Sequence, residues 1–357
     1  MSRYPKAPVP GVLLAILSAI LFGASTPLAK LVLGNGVSPW LLASLLYLGS
    51  GIGLAIVHAA RKTFGDGAAE APLVRADLPW LVLVILCGGG VAPVLLMAGL
   101  ATTPASTASL LLNLEGLATL AIAWLVFHEN VDRRLLIGAT AILGGAALLS
   151  WRGGPAGGGL GMVAIAGACL AWGIDNNLTR KLSSADPVQI AMLKGLAAGA
   201  VNLALALALG GSLPALPMIA GAGLIGFLGY GVSLVMFVLA LRHLGTARSG
   251  AYFSTAPFIG ALLAIALFGD PVTVPLLAAG LLMALGLWLH LTESHGHEHM
   301  HETLEHEHRH IHDSHHQHDH PPGIARDEPH SHWHRHVPLI HRHAHYPDLH
   351  HRHRHVR

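Results

Sequence analysis

Residues 105–129 read ASTASLLLNLEGLATLAIAWLVFHE, and this run decides the fold. It is long enough to cross a bilayer's hydrocarbon core, for which about twenty apolar residues suffice. It nevertheless carries a carboxylate, Glu115, near its middle. The end of the run recurs: a shift of 141 residues carries Phe127 onto Phe268, Glu129 onto Asp270 and Val131 onto Val272 without a gap. The first apolar run recurs too. A shift of 150 carries Phe22-Gly23 onto Trp172-Gly173, Leu28 onto Leu178 and Lys30 onto Arg180.

Outward from these matches, apolar segments lie near 10–33, 39–60, 78–99, 104–127, 133–151, 159–180, 187–210, 214–240, 246–269 and 272–291. Glycine and proline punctuate them, as at Gly34-Asn35-Gly36, Gly153-Gly154-Pro155 and Asp270-Pro271. Each copy therefore holds five spans. An odd number in tandem inserts the two copies with opposite orientation, the inverted-repeat plan of many secondary transporters. The predicted fold is an all-α integral membrane protein of ten transmembrane helices. It is built as two inverted five-helix repeats, 1–151 and 152–291, followed by a disordered histidine-rich tail, 292–357. Small residues at helical spacing, Gly49 with Gly53 and Gly195 with Gly199, allow helices to approach closely. Arg3 and Lys6 precede the run Val9–Leu33, which is about twice a signal peptide's apolar region and lacks a small-residue cleavage site, so it reads as an uncleaved first span.

Composition agrees: 53% of residues are hydrophobic and 11% charged, whereas soluble domains carry about a quarter charged. Before residue 292, Lys and Arg number 14 against 9 Asp and Glu, and the tail reverses the balance with 7 against 10. Nothing clusters into the basic face that nucleic acid requires. Cys87 and Cys169 sit in apolar runs as small hydrophobes and imply no disulfide framework. With the N-terminus inside, cytoplasmic segments hold eleven basic residues: Arg3, Lys6, Arg61, Lys62, Arg75, Arg133, Arg134, Arg180, Lys181, Arg242 and Arg248. External segments hold Lys30 and Arg152 alone. This positive-inside bias puts both termini on the cytoplasmic side of a plasma (inner) membrane.

In these features the chain resembles the drug/metabolite transporter superfamily, specifically its EamA-type members. The resemblance covers residues 10–291 and is carried by the paired five-span halves, Phe22-Gly23, Trp172-Gly173, and the run Ala105–Glu129 with Asn113-Leu114-Glu115 inside it. It implies a secondary carrier. Similar proteins often export small metabolites, and some take up sugars, nucleotides or amino compounds. One departure is visible: many relatives have proline after the span-four glutamate, where this chain has Gly116, while Pro257 keeps it in the second half.

A charge inside a span costs about 2.5–3.5 kcal/mol on insertion scales, which makes it a functional hypothesis by default. Glu115 is read as a protonatable or substrate-pairing carboxylate, with Asn113 beside it; a carboxylate hydrogen-bonded for packing alone is the plainer alternative. Asp175, Asn176 and Asn177 form a polar run in span six. Helical spacing puts Asp175 with Thr179 on one face and Asn176 with Arg180 on another. Lys194, in the next span, is placed to bind substrate or to neutralise Asp175. No nucleotide-binding loop or hydrolase signature occurs. The chain therefore reads as a transporter and not an enzyme, needing no cofactor for transport.

The tail holds 23 of the 27 histidines, and a shift of 35 maps eleven of them onto eleven others, His295 onto His330 through His320 onto His355, with only His312 breaking the series by falling on Pro347. The spacing is mostly His-x-His, which lets alternate imidazoles of an extended chain share a side. The ligand candidates are His297, His299, His301, His306, His308 and His310, with His332, His334, His336, His341, His343 and His345 in the second copy. Imidazole with carboxylate and no thiolate suits Zn, Ni, Co or Cu ions, and so polar a run buries no core of its own. The expected partners are the lipid bilayer and a small polar metabolite, or alternatively a divalent transition-metal ion; a homodimer is an assembly the sequence allows. A different class of function, a membrane-anchored metal buffer without transport, is opposed by the intramembrane charges and the repeat.

Overall fold

The computed structural model describes residues 9–64, 73–126, 133–151, 158–179, 182, 186–244, 249 and 252–292, and in the tail 296–300, 304–310, 330–336 and 340–344. Glu129, Arg180, Arg248, His301 and His345, with Arg3, Lys6, Arg152 and Lys181, lie outside these residues.

Among the described residues, nine helices are long and apolar enough to cross a membrane, and a shorter apolar helix joins them. In chain order span 1 is Val9–Gly34, span 2 Pro39–Phe64, span 5 Arg133–Trp151, span 6 Gly158–Thr179, span 7 Pro187–Ala208, span 9 Ala256–Phe268 and span 10 Val274–Leu291. Spans 3, 4 and 8 are composite. Span 3 runs Leu78–Val84, Ile85–Val91, Ala92–Thr102; span 4 runs Ala105–Leu111, Leu114–Leu125; span 8 runs Leu216–Gly226, Phe227–Val232, Ser233–Leu244. The short helix is span 9.

The molecule is apolar outside and speckled with polar groups inside. Leu281 is 72% exposed and Leu262 69% exposed, while Ser18, Ser44, Ser109 and Asn202 are buried. Water would penalise such a surface. Lipid does not, and in lipid helices are held together by close van der Waals packing and interhelical hydrogen bonds.

The packing obeys the internal repeat. Spans 2 and 7 pack together, as do spans 5 and 10, each joining equivalent helices of the two copies. Span 1 packs against spans 8 and 9, and its counterpart, span 6, against spans 3 and 4. The paired motifs mark those crossings. A Cβ on Gly23 would lie 3.1 Å from the Ala256 carbonyl carbon and 3.2 Å from the Gly260 nitrogen. A Cβ on Gly173 would lie 2.8 Å from the Ala118 Cβ and 3.0 Å from the Thr119 nitrogen. Small residues at the two crossings thus let backbones approach where a branched residue would separate them. Asp270 also crosses between copies: its Oδ2 accepts from the Ser106 backbone N–H at 3.0 Å and hydroxyl at 2.7 Å, satisfying one of the free N–H groups where span 4 begins.

Two sequence expectations meet the backbone here. Span 4, read as one helix, turns at Leu112–Asn113 despite Gly116 standing where relatives have proline. The Asn113 side chain holds this turn by donating to the Leu110 carbonyl at 2.8 Å, a local bond of the kind that competes with helix. The tail, expected to lack structure, has its described segments in extended, paired backbone: β1 (Gly296–Met300) with β4 (Ile340–Ala344), and β2 (Leu304–His310) with β3 (His330–His336). The His-x-His alternation has the two-residue period of a strand, and the second copy supplies the partner.

Candidate functional site

Three glycines in span 3, Gly88-Gly89-Gly90, begin the site. Around them the helix widens so that the Ala92 N–H reaches the Cys87 carbonyl, five residues back. Span 8 widens at the matching place, where the Ser233 N–H reaches the Leu228 carbonyl. The shift of 141 that aligns the repeats carries Gly88 onto Gly229 and Gly90 onto Gly231. Such wide turns disturb the regular ladder and recur at functional sites. Here the carbonyls they expose are claimed by side chains from other spans. The Gly88 carbonyl accepts from the Tyr47 hydroxyl at 2.6 Å and the Trp172 indole N–H at 3.0 Å. The Asn202 amide donates to the Gly89 carbonyl at 3.2 Å and the Gly90 carbonyl at 3.4 Å.

Against this segment stands the charged pair. Lys194 of span 7 donates to Asp175 Oδ2 of span 6, and the Thr179 hydroxyl donates to Oδ1 at 3.2 Å. A Cβ on Gly88 would collide with the Asp175 carboxylate and lie 2.6 Å from Lys194 Nζ, so the glycine leaves the space the pair occupies. Asp175 and Thr179 share a face as the spacing predicts. Lys194 neutralises Asp175 geometrically.

One residue on, span 6 turns its next side chain to span 4. The Asn176 amide donates to Glu115 Oε1 at 3.0 Å and to the Thr119 hydroxyl at 3.2 Å, and that hydroxyl donates to the Glu115 backbone carbonyl at 2.9 Å. Asn177 faces a third way. Its amide donates to the Thr119 carbonyl at 3.1 Å and the Gly173 carbonyl at 2.8 Å, while its Oδ1 is buried without a partner. Among the described residues no Lys or Arg pairs with Glu115. With Glu115 ionised, the two carboxylates and one ammonium sum to one uncompensated negative charge, at a half-buried residue beside an exposed Asn176.

The structure thus brings Glu115, Asp175, Asn176, Asn177 and Lys194 into two adjoining networks. Asn113 is not among them. The turn at Leu112–Asn113 directs its amide to the Leu110 carbonyl and, at 3.9 Å, to the Met283 sulfur of span 10. The residues that sequence reasoning missed are Tyr47, Trp172 and Asn202, which hold the widened turn, and an aromatic group beside it. Tyr230, within the widened turn of span 8, has its ring 5.7 Å from Tyr47 and 5.9 Å from Phe22. The signal that could have found them is the glycine pattern repeated at 141 residues. Lys30, assigned to an external segment, donates from span 1 to the Leu100, Ala101 and Thr103 carbonyls where span 3 ends. Among the described residues, no group of three or more His, Cys, Asp or Glu is arranged to hold a metal ion.

Comparison with known proteins agrees with this architecture. An "Uncharacterized transporter" of Methanothermobacter thermautotrophicus (strain Delta H) is 29% identical over 295 residues, covering 78% of this chain and 85% of its own length. A solved crystal structure with 20% identity superposes with a TM-score of 0.57 over 78% of this chain and 95% of its own, a likeness of fold alone. The EamA-like transporter pattern matches twice, over residues 9–151 and 159–292. With both halves matched, the chain belongs to the EamA-like transporter family.

Proposed function

We propose that the chain is a secondary exporter of a small polar metabolite, with Glu115 as the group that carries a proton or pairs with a substrate cation. The observation that supports this most is the charge imbalance. Asp175 has Lys194, whereas Glu115 has a neutral amide. A carboxylate inside a span without a counter-ion must be solvated, protonated or paired by something that arrives. The Asp175–Lys194 pair and Asn176 and Asn177 complete the polar wall, and alternating access follows from rocking one repeat against the other. In this reading the protein sits in the plasma membrane with both termini cytoplasmic, and the tail binds Zn, Ni, Co or Cu ions through its histidine pairs. A divalent metal as the transported species is the second reading, favoured by the tail.

Flux into proteoliposomes, measured across a panel of metabolites and metal ions, tests both. Glu115→Gln keeps size and hydrogen bonding but removes charge. It is expected to abolish pH-dependent flux while leaving assembly intact, and normal flux with normal pH dependence would remove Glu115 from the mechanism. Deleting residues 292–357 should spare metabolite flux; loss of metal flux alone on that deletion would favour the second reading.

A further inference from the structure

The wide turn at Gly88 has the charged network on one side and a row of aromatic rings on the other. Ring centroids of Phe237 and Phe253 lie 4.7 Å apart, of Phe253 and Phe22 5.1 Å, of Phe22 and Tyr230 5.9 Å, and of Tyr230 and Tyr47 5.7 Å. At these spacings rings attract one another. The row ends where the Tyr47 hydroxyl donates to the Gly88 carbonyl, the same carbonyl that holds Trp172. Glu115 lies close enough to Tyr47 and Tyr230 to act on both electrostatically.

The internal repeat makes this division informative. The shift of 150 carries Phe22 onto Trp172, Ser25 onto Asp175 and Thr26 onto Asn176. The shift of 141 carries Glu115 onto Ala256, Gly89 onto Tyr230, Leu96 onto Phe237 and Leu112 onto Phe253. Matched positions thus hold charge and amide in one half, and rings with small neutral residues in the other. Ser25, the counterpart of Asp175, turns its hydroxyl back to the Phe22 carbonyl of its own helix at 2.6 Å. Within spans 1, 8 and 9, Lys, Arg and His occur only near span ends, at Lys30, Arg242 and His243, and Asp and Glu do not occur. Phe22 meets Tyr230 of span 8 and Phe253 just before span 9, so these rings face the bundle interior. Phe22, Tyr230, Phe237 and Phe253 are nevertheless only half-buried. Interior rings with free surface, beside a few convergent polar groups, are the usual lining of a small-molecule site.

We infer that the cargo is an amine with a flat aromatic body, its ammonium paired with Glu115 and its ring laid among Phe22, Tyr230 and Phe253. The inference rests on Glu115 as the group that pairs with a substrate cation, and adds what that cation carries. Ring faces attract a cation as well as another ring, so the row that takes the body also favours the head. An anion would meet a site of net negative charge, and a neutral ring would leave Glu115 without a partner.

Binding of phenethylamine to the full-length protein in detergent, followed by calorimetry, tests this against three analogues. 2-Cyclohexylethylamine keeps the charge and loses the aromatic ring, 2-phenylethanol keeps the ring and loses the charge, and 3-phenylpropionate reverses the charge. Phenethylamine should bind about tenfold tighter than the cyclohexyl amine, and at least about thirtyfold tighter than the other two. Phe22→Leu and Phe253→Leu should each shrink the first ratio toward one and spare the second, and Glu115→Gln should do the reverse. Each effect is a ratio within one variant, so a general loss of stability does not imitate it; should neither leucine variant fold, the ratios of the unaltered protein decide. Equal binding of phenethylamine and its cyclohexyl analogue refutes the aromatic body and leaves the Glu115 pairing standing. Phenethylamine binding that Glu115→Gln does not weaken refutes the pairing, and this inference with it. Failure to bind phenethylamine, where flux of another cargo depends on Glu115, refutes this inference alone.

Discussion

Asp175→Asn and Lys194→Met, made singly and together, measure what holds the polar wall. The Asp175 side chain is 5% exposed and the Lys194 side chain 18%. Asp175→Asn leaves an ammonium against the Gly88 turn without a counter-charge. Lys194→Met leaves a carboxylate whose described remaining donor is the Thr179 hydroxyl. Breaking one side of a buried pair costs about 3–5 kcal/mol, whereas replacing both sides is often close to neutral. Each single variant should therefore unfold more readily by roughly a hundredfold to several thousandfold in equilibrium constant, and the double variant should recover most of that loss. Unfolding by SDS in mixed micelles, followed by tryptophan fluorescence, gives the three free energies, with Trp172 one turn from Asp175 as a local reporter. Flux separates structure from function: a double variant that is stable but inactive places one of the pair on the substrate, and one that is stable and active confines both to neutralising each other. Single changes costing under about 1 kcal/mol, adding without coupling in the double, would refute the reasoning.

Three further outcomes are expected. Gly49→Ala should destabilise or misassemble the core, because the new Cβ would fall 2.6 Å from the Gly223 Cα, whereas Gly221→Ala meets nothing within 4 Å and should be tolerated; thermal scans of the two variants compare them directly. Reporter fusions after Arg152 and after Leu291 should report opposite sides of the membrane, and the same side for both would overturn the five-plus-five count. Zinc bound to the tail should be released below about pH 6, as imidazoles with ordinary pKa near 6.5 protonate; calorimetry at two pH values checks this, and affinity that ignores pH would remove imidazole as the ligand.

The architecture was legible because its signals are local. Apolar run length fixes where helices lie, and the shifts of 141 and 150 residues expose the duplication without any knowledge of contacts. Glu115 and the run at 175–177 were legible as well, since charge and amide groups inside apolar runs stand out by cost. Which of them meet was not. That depends on the rotation of one span against another, and the turn at Leu112–Asn113 changes that rotation between Asn113 and Glu115, sending the first toward span 10 and the second toward span 6. Tyr47 and Trp172 escaped for a different reason. In an apolar run an aromatic side chain reads as bulk, and its one polar atom matters only where a widened turn offers a carbonyl to it.

The bond from Asp270 to the start of span 4 also bears on how the protein is made. Ser106 and Asp270 are 164 residues apart, so at about 5–20 residues per second of synthesis span 4 waits roughly ten to thirty seconds for its cap. In that interval span 1 likewise lacks spans 8 and 9, the helices it packs against in the finished molecule. The first half leaving the ribosome is thus a set of inserted helices with unfilled seams. Its assembly is completed only when the last third of the chain arrives, and whatever machinery shelters nascent helices must hold it until then.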